Sequence, residues 1–405
     1  MEVVSEMKAL FLGVDSIKHD WPDLWMPVFR DAGIRVIWHS FGEWWDVAIP
    51  ESGEESMGEY DIRDISDFAK WRTGDRCGGL CYSKPNLTDS EVRRVIKVVE
   101  NTLGAIDPDV LCMWGNSTFQ NRAAVAVSSR MGIPVLYFEG AFFRSPRTNM
   151  HMHIIDPVGV YFQGRSWLED GWSQRKDDQI SPRKIDLASS FIDRWKKDKV
   201  SKYSQGAVDW VSRVAMNRSN GRKKMFVPLQ TPKDGTMWWP DTVVNSPGGL
   251  VESLVEHLPD DWYIIFKKHP MDTIPASSYM VHENTDKYVV LSDGNVHDLI
   301  DDSDGVAMIN STVGVEALAK GRRVINLGES FYSGNGWTYD VADVSEIADA
   351  ANAIGDNRDL TGNDWSRFLK FMYWIVFEYL ADPARDDIMM RCDSARRFSE
   401  GKVMV

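Results

Sequence analysis

Short apolar runs alternate along this chain with segments of helical periodicity, and most of the runs end in a polar or glycine-containing loop. In the first half of the chain the runs lie at residues 8–14, 34–38, 110–114 and 135–138. In the second half they lie at residues 224–229, 262–266, 289–291, 306–309 and 323–327. Continuous apolar runs of this length, separated by helical segments, are typical of parallel strands that helices cover on both faces. The pattern therefore predicts an α/β fold with five strands in its second half.

The length of the chain predicts two domains, because 405 residues can bury two sizeable hydrophobic cores. The string Ser219-Asn220-Gly221-Arg222 is typical of a boundary between domains. We expect an N-terminal Rossmann-like domain over residues 1–220, in which the charged segment 165–220 is a solvated helical linker. A C-terminal Rossmann-like domain is expected over residues 221–360, followed by helices over 361–405 that pack back on the first domain.

Charge and composition exclude several classes of protein. A net charge of −14 and a pI near 5.1 argue against a broad basic surface, so we expect no nucleic acid as a partner. The four cysteines are scattered, which favours reduced thiols over a zinc site. The first residues show no basic stretch followed by an apolar one, and no run approaches ~20 apolar residues. The composition therefore predicts a cytoplasmic protein without a signal peptide or a membrane span.

The stretch from Val306 to Leu318 predicts a site for a phosphate group. Its apolar run stops at Asn310, Ser311 and Thr312, and a helical pattern containing Gly314 follows. A helix start attracts anions because its backbone N–H groups are unpaired and the macrodipole is positive there. The two hydroxyls add donors at the same point, and the glycine lets the backbone approach a ligand. The alternative interpretation is that Asn310 or Ser311 only caps the helix.

A second motif, Phe266-Lys267-Lys268-His269-Pro270, closes another apolar run about forty residues upstream. The carboxyl ends of parallel strands form the edge at which open α/β sheets bind their ligands. A histidine that can carry a positive charge and a hydroxyl-lined helix start at one edge together predict a nucleotide phosphate site. The loop Gln230 to Gly235 follows a further strand and is expected at the same edge.

The cluster Asp301-Asp302-Ser303-Asp304 has the composition of a metal site, but it precedes a buried strand. A solvated turn between a helix and a strand is the more common context for such a cluster. We therefore expect no metal ion there.

In the first half, the strand over residues 135–138 is followed by Glu139-Gly140-Ala141-Phe142-Phe143-Arg144. This segment is expected to place a carboxylate, a flexible glycine and an arginine at the ligand-binding edge. The alternative is a purely structural ion pair between Glu139 and Arg144.

Four strings occur in a fixed order: Q-T-P-K-D at 230–234, K-K-H-P at 267–270, N-S-T-V-G-V-E-A-L at 310–318 and L-G-E-S-F-Y at 327–332. Their order and spacing resemble the β-Kdo transferases of the capsule polysaccharide biosynthesis and lipopolysaccharide O-antigen type. The resemblance is strongest over residues 224–340 and extends more loosely to 138–145 and 155–161. It implies a GT-B-like fold, in which two Rossmann-like domains face a cleft and C-terminal helices cross back to the N-terminal domain.

The resemblance implies a retaining enzyme that transfers β-Kdo from CMP-β-Kdo by two successive displacements. Asp234 matches the acidic position expected to act as nucleophile, forming a covalent Kdo adduct. His269, counted with the catalytic residues, would contact the CMP phosphate, which Ser311 and Thr312 would also hold. Glu316 would accept the ribose hydroxyls. The full set expected to bind CMP-Kdo is Gln230, Arg144, Lys268, His269, Asn310, Ser311, Thr312, Gly314 and Glu316.

From the first domain, the resemblance assigns Glu139 a role as acid/base or as a carboxylate on the acceptor side, and Arg144 a role as partner of the Kdo carboxylate. Fixed donors around the phosphate suffice for this chemistry, so neither a cofactor nor a metal ion is expected. The expected partners are CMP-β-Kdo as donor and a bacterial surface glycan, including lipid-linked forms, as acceptor. Other modules of a polysaccharide synthase are also expected as partners. Such partners would bring a cytoplasmic protein to the periphery of the inner membrane.

Two alternatives remain open from the sequence. One is a sialyltransferase-like enzyme or another transferase that uses a different nucleotide sugar, since the His-Pro and Ser-Thr pairs are similar to those of sialyltransferases with the same architecture. The other is a non-catalytic subunit that binds a sugar nucleotide. The presence of Asp234, Glu139 and His269 together argues against the second alternative.

Overall fold

A computed structural model gives the fold of most of the chain. The residues that it describes are 6–13, 21–40, 89–115, 119–160, 171–199, 206, 213, 217–232, 234–238, 242–280, 286–357 and 359–401. The chain forms two compact units, of which the first comprises Met1–Leu168 together with Tyr379–Val405 and the second comprises Glu169–Glu378.

Eleven strands and ten α-helices of the described residues are named here in chain order. The strands are β1 (Lys8–Gly13), β2 (Arg35–Ser40), β3 (Val110–Trp114), β4 (Val135–Arg144), β5 (His151–Asp156), β6 (Lys223–Pro228), β7 (Trp262–Lys267), β8 (Tyr288–Leu291), β9 (Gly305–Met308), β10 (Val324–Asn326) and β11 (Thr338–Asp340). The helices are α1 (Trp21–Asp31), α2 (Asp89–Ile106), α3 (Phe119–Met131), α4 (Pro182–Asp198), α5 (Pro247–His257), α6 (Val296–Asp301), α7 (Val313–Ala319), α8 (Ile347–Asp356), α9 (Gly362–Trp374) and α10 (Ile388–Ser399).

The sheet of the first unit has the order β2-β1-β3-β4-β5, with the first four strands parallel and β5 antiparallel to β4. Successive residues of β1 point to opposite faces. Leu10 and Leu12 pack with α2 and α3, whereas Ala9 and Phe11 pack with α1 and α10. Helices on both faces explain why the strand is apolar at every one of these positions.

The segment that begins at Tyr379 belongs to the first unit and adds to the edge of its sheet. The backbone N–H of His153 donates to Ala381 O at 2.9 Å, and the N–H of Ala381 donates to His153 O at 2.8 Å. Arg391 of α10 donates through Nη1 to Ile155 O at 3.3 Å and through Nη2 to Tyr379 O at 3.0 Å. The first unit is therefore built from two segments that are far apart in the sequence.

All six strands of the second sheet are parallel, in the order β11-β10-β9-β6-β7-β8. This order corresponds to 3-2-1-4-5-6 with β6 as the first strand, which is the order of the Rossmann fold. The winding reverses between β6 and β9, so the loops after these two strands leave in opposite directions. The prediction of an α/β fold with two Rossmann-like sheets is confirmed.

Three strand predictions need correction. The strand predicted over 135–138 continues through a bulge to Arg144, and β5 follows as its antiparallel neighbour. β11, which makes six strands in the second sheet instead of five, consists of Thr-Tyr-Asp. It lies at the edge of the sheet with no buried residue, so it has no apolar run to reveal it.

The second unit begins at Glu169, whereas the sequence placed the boundary near residue 220. Within the segment predicted as a solvated linker, α4 buries Phe191, Ile192 and Trp195. The same unit contains α9, and beyond it the ring of Phe377 lies 6.3 Å from that of Phe191. The segment was predicted as a solvated linker because it is dense in charged residues. One apolar stripe on α4 is nevertheless enough to pack this helix against the rest of the unit.

Residues 361–405 divide between the two units at Glu378, so α9 lies in the second unit and α10 in the first. The segment 42–62, predicted as an acidic loop, lies outside the described residues. Among the helices that the structure describes, none is both long enough and apolar enough to cross a bilayer.

Asp156, the last residue of β5, is a buried carboxyl group. Its Oδ1 accepts hydrogen bonds from the backbone N–H groups of Val158 and Gly159 at 2.7 and 3.1 Å. Its Oδ2 accepts one from the hydroxyl of Tyr379 at 3.0 Å. Burial raises the pKa of Asp156 to about 7, although these hydrogen bonds and the charge of Arg391 oppose the shift. The folded protein therefore binds a proton here more tightly than the unfolded chain does.

We expect Asp156→Asn to change the pH dependence of stability. The pKa is about 7 when folded and 3.8 in the reference state, so the wild type loses stability as the pH rises between these values. The asparagine amide stays neutral over this range. As the pH rises, the free energy of unfolding of the variant relative to that of the wild type should therefore increase by up to about 1.4 kcal/mol per pH unit. Urea unfolding followed by circular dichroism at pH 5 and pH 7.5 measures the difference. Asp23→Asn, on the exposed side of α1, is the control, and a constant difference at both pH values would contradict the expectation.

Candidate functional site

The loops that follow β6, β7 and β9 lie side by side at the carboxyl edge of the second sheet, because these strands are neighbours in the order β9-β6-β7. β6 and β9 flank the point at which the winding of the sheet reverses. In open α/β sheets, the crevice outside the carboxyl ends of two such strands is where ligands bind. The structure thus brings the motifs 230–234, 267–270 and 310–318 to one edge.

The carboxylate of Asp234 is held by three hydrogen bonds in the loop after β6. Its Oδ1 accepts from the backbone N–H of Thr236 at 3.0 Å and from the Thr236 hydroxyl at 2.7 Å. Its Oδ2 accepts from Gln230 Nε2 at 3.0 Å. Thr236 lies in the 3₁₀ turn Gly235–Trp238, which begins directly after Asp234. The carboxylate therefore has a defined orientation.

Asn310, in the loop after β9, connects the two loops. Its Nδ2 donates to Thr236 O at 2.7 Å, and its Oδ1 lies 3.1 Å from Gln230 Nε2. The backbone N–H of Asn310 donates to Gln230 Oε1 at 3.4 Å. Gln230 and Asn310 were both predicted to bind the substrate. The structure engages both side-chain amides in contacts within the protein, and both residues are buried.

His269 lies in the loop after β7, where its Nδ1 accepts a hydrogen bond from the backbone N–H of Met271 at 3.1 Å. A neutral imidazole that accepts through Nδ1 carries its proton on Nε2, so Nε2 is a donor. The adjacent Lys268 is largely buried, and its Nζ donates to Asp272 O at 3.3 Å. This loop supplies one cation and one ring N–H donor next to the loop that contains Asp234.

The helix start predicted to bind phosphate is α7, and it is short, with seven residues. Ser311 Oγ accepts from the N–H of Val313, the first residue of the helix, at 3.3 Å, whereas the N-cap residue is Thr312. The Thr312 side chain makes no capping bond. Both Ser311 and Thr312 are partly exposed. The alternative that Asn310 or Ser311 is the N-cap residue is not confirmed, since Thr312 occupies that position, and the phosphate role of Ser311 and Thr312 stays a prediction.

Gly314 was predicted to let the backbone approach a ligand, but the structure places the ring of Tyr332 there. A Cβ atom on Gly314 would lie 2.1 Å from the Tyr332 hydroxyl oxygen and 2.3 Å from its Cζ. The hydroxyl of Tyr332 donates to Ser311 O at 2.6 Å, and burial raises its pKa. Tyr332 thus joins the loop after β10 to the start of α7.

Glu316 is buried, with its Oε2 3.7 Å from Nε2 of His297. The ring of Trp195 packs on His297 at a centroid distance of 4.5 Å. Burial lowers the pKa of nearby Lys267, while the charges of Asp293 and Glu316 oppose this shift. The structure places Glu316 among buried ionisable groups, and its predicted contact with ribose stays a prediction.

Glu139 and Arg144 belong to the first unit, and both lie on β4 instead of in a loop after it. Glu139 Oε1 accepts from the N–H of Gly140 at 2.9 Å, and Gly140 is paired with His153 of β5. Arg144 Nη1 donates to Asn149 O at 3.2 Å. The glycine is therefore fixed in a sheet, and the strand extends further because β5 provides the antiparallel partner.

Among the described residues, no group of three or more His, Cys, Asp or Glu side chains could hold a metal ion. The acidic cluster before β9 has other partners. Asp301 lies 2.6 Å from Lys320 Nζ, and Asp302 lies 2.9 Å from Lys224 Nζ. Asp304 Oδ2 accepts from the backbone N–H of Lys224 at 2.9 Å. These carboxylates connect the turn to its neighbours.

The sequence analysis did not identify Thr236 or His297 as parts of this region, and it included Tyr332 only as the last residue of the motif at 327–332. Thr236 had a usable local signal, since an aspartate followed two residues later by threonine favours an Asx-type turn. No local signal predicted the contact of Tyr332 with Ser311 or that of His297 with Glu316, because each joins two separate segments of the chain.

Comparison with known proteins agrees with this picture. Residues 170–353 match the family described as capsule polysaccharide biosynthesis protein, which is a little under half of the chain. The matched segment contains the four motif strings at 230–234, 267–270, 310–318 and 327–332. The resemblance stated from the sequence is confirmed at this level.

Two curated relatives and one solved structure are informative. The capsule polysaccharide modification protein LipA of Neisseria meningitidis serogroup B is 24% identical over 240 residues, which are 56% of this chain and 32% of LipA. Protein FixF of Sinorhizobium fredii is 27% identical over 274 residues, 63% of this chain and 53% of FixF. The chain thus spans about a third to a half of the curated relatives it matches.

The solved structure is the β-Kdo 2,7 transferase of Thermosulfurimonas dismutans KpsC. It matches 97% of this chain and 99% of its own, with 16% identity and a TM-score of 0.51. At this identity the likeness shows the fold, which is of the GT-B class with two Rossmann-like units.

We expect Gly314→Ala to destabilise the second unit by about 1–3 kcal/mol, because the new methyl group overlaps a buried aromatic ring. Gly248→Ala is a matched control, since Gly248 is also the second residue of its helix and a Cβ there meets nothing within 4 Å. That control should be neutral or stabilising by about 0.5–1 kcal/mol. Urea unfolding of both variants measures the contrast, and equal stability of the two would refute the close contact with Tyr332.

Proposed function

We propose that this chain is a retaining glycosyltransferase that moves β-Kdo from CMP-β-Kdo to a bacterial surface glycan. The observation that carries the proposal is the oriented carboxylate of Asp234 at the point where the winding of the second sheet reverses. The two strands that flank β6 are β7 and β9. The loop after β7 contains His269, and the loop after β9 contains Ser311 and Thr312. A carboxylate nucleophile and phosphate donors at one edge are the groups that this reaction requires.

The similarities to known proteins support the same class of reaction. The family matched by the second unit is named for capsule polysaccharide biosynthesis, and LipA is named for capsule polysaccharide modification. The solved neighbour is named as a β-Kdo transferase, and its fold covers nearly the whole chain. These names favour a glycan substrate for this chain as well.

In the first displacement, an oxygen of the Asp234 carboxylate attacks the anomeric carbon of Kdo. The bond from that carbon to the CMP phosphate oxygen breaks, and its electron pair leaves with CMP. The carbon passes through an oxocarbenium-like state, which a carboxylate on one face stabilises and then traps as an ester. The charge that develops on the phosphate is stabilised by the Nε2–H of His269 and the hydroxyls of Ser311 and Thr312.

In the second displacement, a hydroxyl oxygen of the acceptor attacks the same carbon and the bond to Asp234 breaks. The carboxylate is regenerated with its electron pair, and the hydroxyl proton passes to a base. Glu139 remains the predicted base and Arg144 the predicted partner of the Kdo carboxylate. Two inversions at one carbon retain the configuration, which distinguishes this scheme from a single displacement.

Lys268 and the neighbouring Lys267 bear on the choice of donor. Lys267 is buried, and burial lowers its pKa, so its charge is costly to maintain next to the loop. Its ammonium group donates to Lys268 O at 3.2 Å and therefore supports the backbone of that loop. Lys268, His269 and two hydroxyls suit a single phosphate, as in CMP-linked sugars, better than a diphosphate. A UDP-sugar donor is the competing outcome that the assays below distinguish.

The curated relatives are much longer than the segments that match this chain. We infer that the transferase acts together with further modules of a polysaccharide synthase and that its acceptor is a glycan, including lipid-linked forms.

Asp234→Asn should reduce transfer of Kdo by roughly 10³-fold or more, because the amide cannot form the covalent intermediate. The assay follows transfer from CMP-β-Kdo to a synthetic β-Kdo-terminated acceptor, with and without EDTA, and we expect equal rates in both. Intact mass after mixing the wild type with the donor alone should reveal a Kdo adduct that the variant lacks. Asp260→Asn, at a fully exposed position, is the control. Full activity of the Asp234 variant would remove this residue from the mechanism, and transfer only from UDP-sugars would overturn the choice of donor.

His269→Ala should weaken the binding of CMP by about 10-fold to 100-fold, because it removes a charge-assisted hydrogen bond to the phosphate. Isothermal titration calorimetry with CMP measures the affinity. His257→Ala, at the last residue of α5, is the control and should bind CMP as the wild type does. Unchanged affinity in the His269 variant would place the phosphate elsewhere.

A further inference from the structure

Thr236 contacts Asp234 and Asn310 through three different groups. Its backbone N–H and its hydroxyl both donate to Asp234 Oδ1, at 3.0 and 2.7 Å. Its carbonyl oxygen accepts from Asn310 Nδ2 at 2.7 Å. A single threonine thus connects the carboxylate of the β6 loop to the loop after β9.

The available hydrogen atoms determine the direction of these bonds. The Thr236 hydroxyl has one hydrogen, and its nearest acceptor is Asp234 Oδ1. Gln230 Nε2 has two hydrogens. One is directed to Asp234 Oδ2, and the other is shared between Asn310 Oδ1 and Thr236 Oγ1. The donors on both oxygens of the carboxylate prevent its rotation about the Cβ–Cγ bond.

The two carboxylate oxygens of Asp234 are not equivalent. Oδ1 accepts two hydrogen bonds from Thr236, as many as its two lone pairs can take. Oδ2 accepts one hydrogen bond from Gln230 and retains one lone pair. A nucleophile attacks through an electron pair that is not already engaged, so the free pair on Oδ2 defines the attacking atom.

We propose that Thr236 is a positioning residue, which fixes the Asp234 carboxylate so that Oδ2 faces the reacting carbon, with Gln230 and Asn310 completing the support. The inference rests on the proposed function, since it assigns this geometry to the attack on Kdo. Holding a nucleophile in the orientation of attack lowers the barrier, and a small misplacement of the reacting atom costs up to ~10²-fold in rate. The predicted ligands Gln230 and Asn310 then act on Asp234 and not directly on CMP-Kdo.

The test uses Thr236→Val, which removes the hydroxyl but keeps the shape and the backbone N–H. We expect kcat for Kdo transfer to fall ~10-fold to 100-fold, with the donor KM within ~3-fold of the wild type and CMP affinity unchanged. Thr236→Ser should restore kcat to within ~3-fold, because the hydroxyl returns. Release of CMP from donor alone, the first displacement, should slow in the same proportion as kcat.

Thr242→Val is the matched control, because the buried Thr242 hydroxyl has no hydrogen-bond partner among the described residues. This variant should transfer Kdo at the rate of the wild type. A normal kcat in Thr236→Val overturns the proposal. So does a parallel loss of kcat and CMP affinity, which would indicate a general structural role, or a failure of serine to rescue.

A double-mutant cycle between Thr236→Val and Asp234→Ala separates this inference from the proposed function, because unfolding requires no substrate. If the hydroxyl holds the carboxylate, the two changes in Tm should depart from additivity by ~2 °C or more. Additive changes overturn the role of Thr236. A wild type that neither binds CMP nor transfers Kdo overturns the proposed function instead, and a non-additive cycle then still supports the contact.

Discussion

The hydrogen bonds between the loops after β6 and β9 are the interaction on which the site in the second unit depends. The winding of the sheet reverses between these two strands, so their loops leave the crevice in opposite directions. The ladder between β6 and β9 pairs Met225 with Gly305 and Phe226 with Val306, and beyond it the contacts of Asn310 with Gln230 and Thr236 hold the described parts of the two loops together. The sheet provides the crevice, and buried amides set its internal geometry. The side-chain amides of Gln230 and Asn310 are buried, so leaving either without a hydrogen-bond partner would cost free energy. This cost favours one arrangement of the two loops over others.

Burial at both faces of each sheet explains the apolar runs and also the limits of what they predict. Apart from β11, the parallel strands of both sheets were found, and the interior ones carry apolar runs because helices cover both of their faces. The antiparallel strand β5 and the edge strand β11 were missed because half-exposed or edge positions carry mixed residues, as in His151–Asp156 and Thr338–Asp340. In the same way, the apolar stripe of α4 was hidden by the charged residues around it.

The candidate site shows the same distinction between local and distant information. The sequence located the loops of Asp234, His269 and Ser311 correctly at strand ends, because a strand followed by a polar loop is a local pattern. It could not show that Tyr332 fills the space above Gly314, since the two residues meet only after folding. Nor could it show that the amides of Gln230 and Asn310 face each other. The physical partner of a buried polar group depends on strand order, which no local pattern encodes.

The two-part construction of the first unit has a consequence for synthesis on the ribosome. The apolar face of its sheet that includes Ala9 and Phe11 is completed by Ile388, Cys392 and Ala395, which are translated after the entire second unit. At typical elongation rates of ~5–20 residues per second, α1 covers that face without α10 for about ten seconds or more. During that interval the part of the face that α10 will cover stays exposed to water, and exposed apolar surface of this kind favours aggregation of a nascent chain.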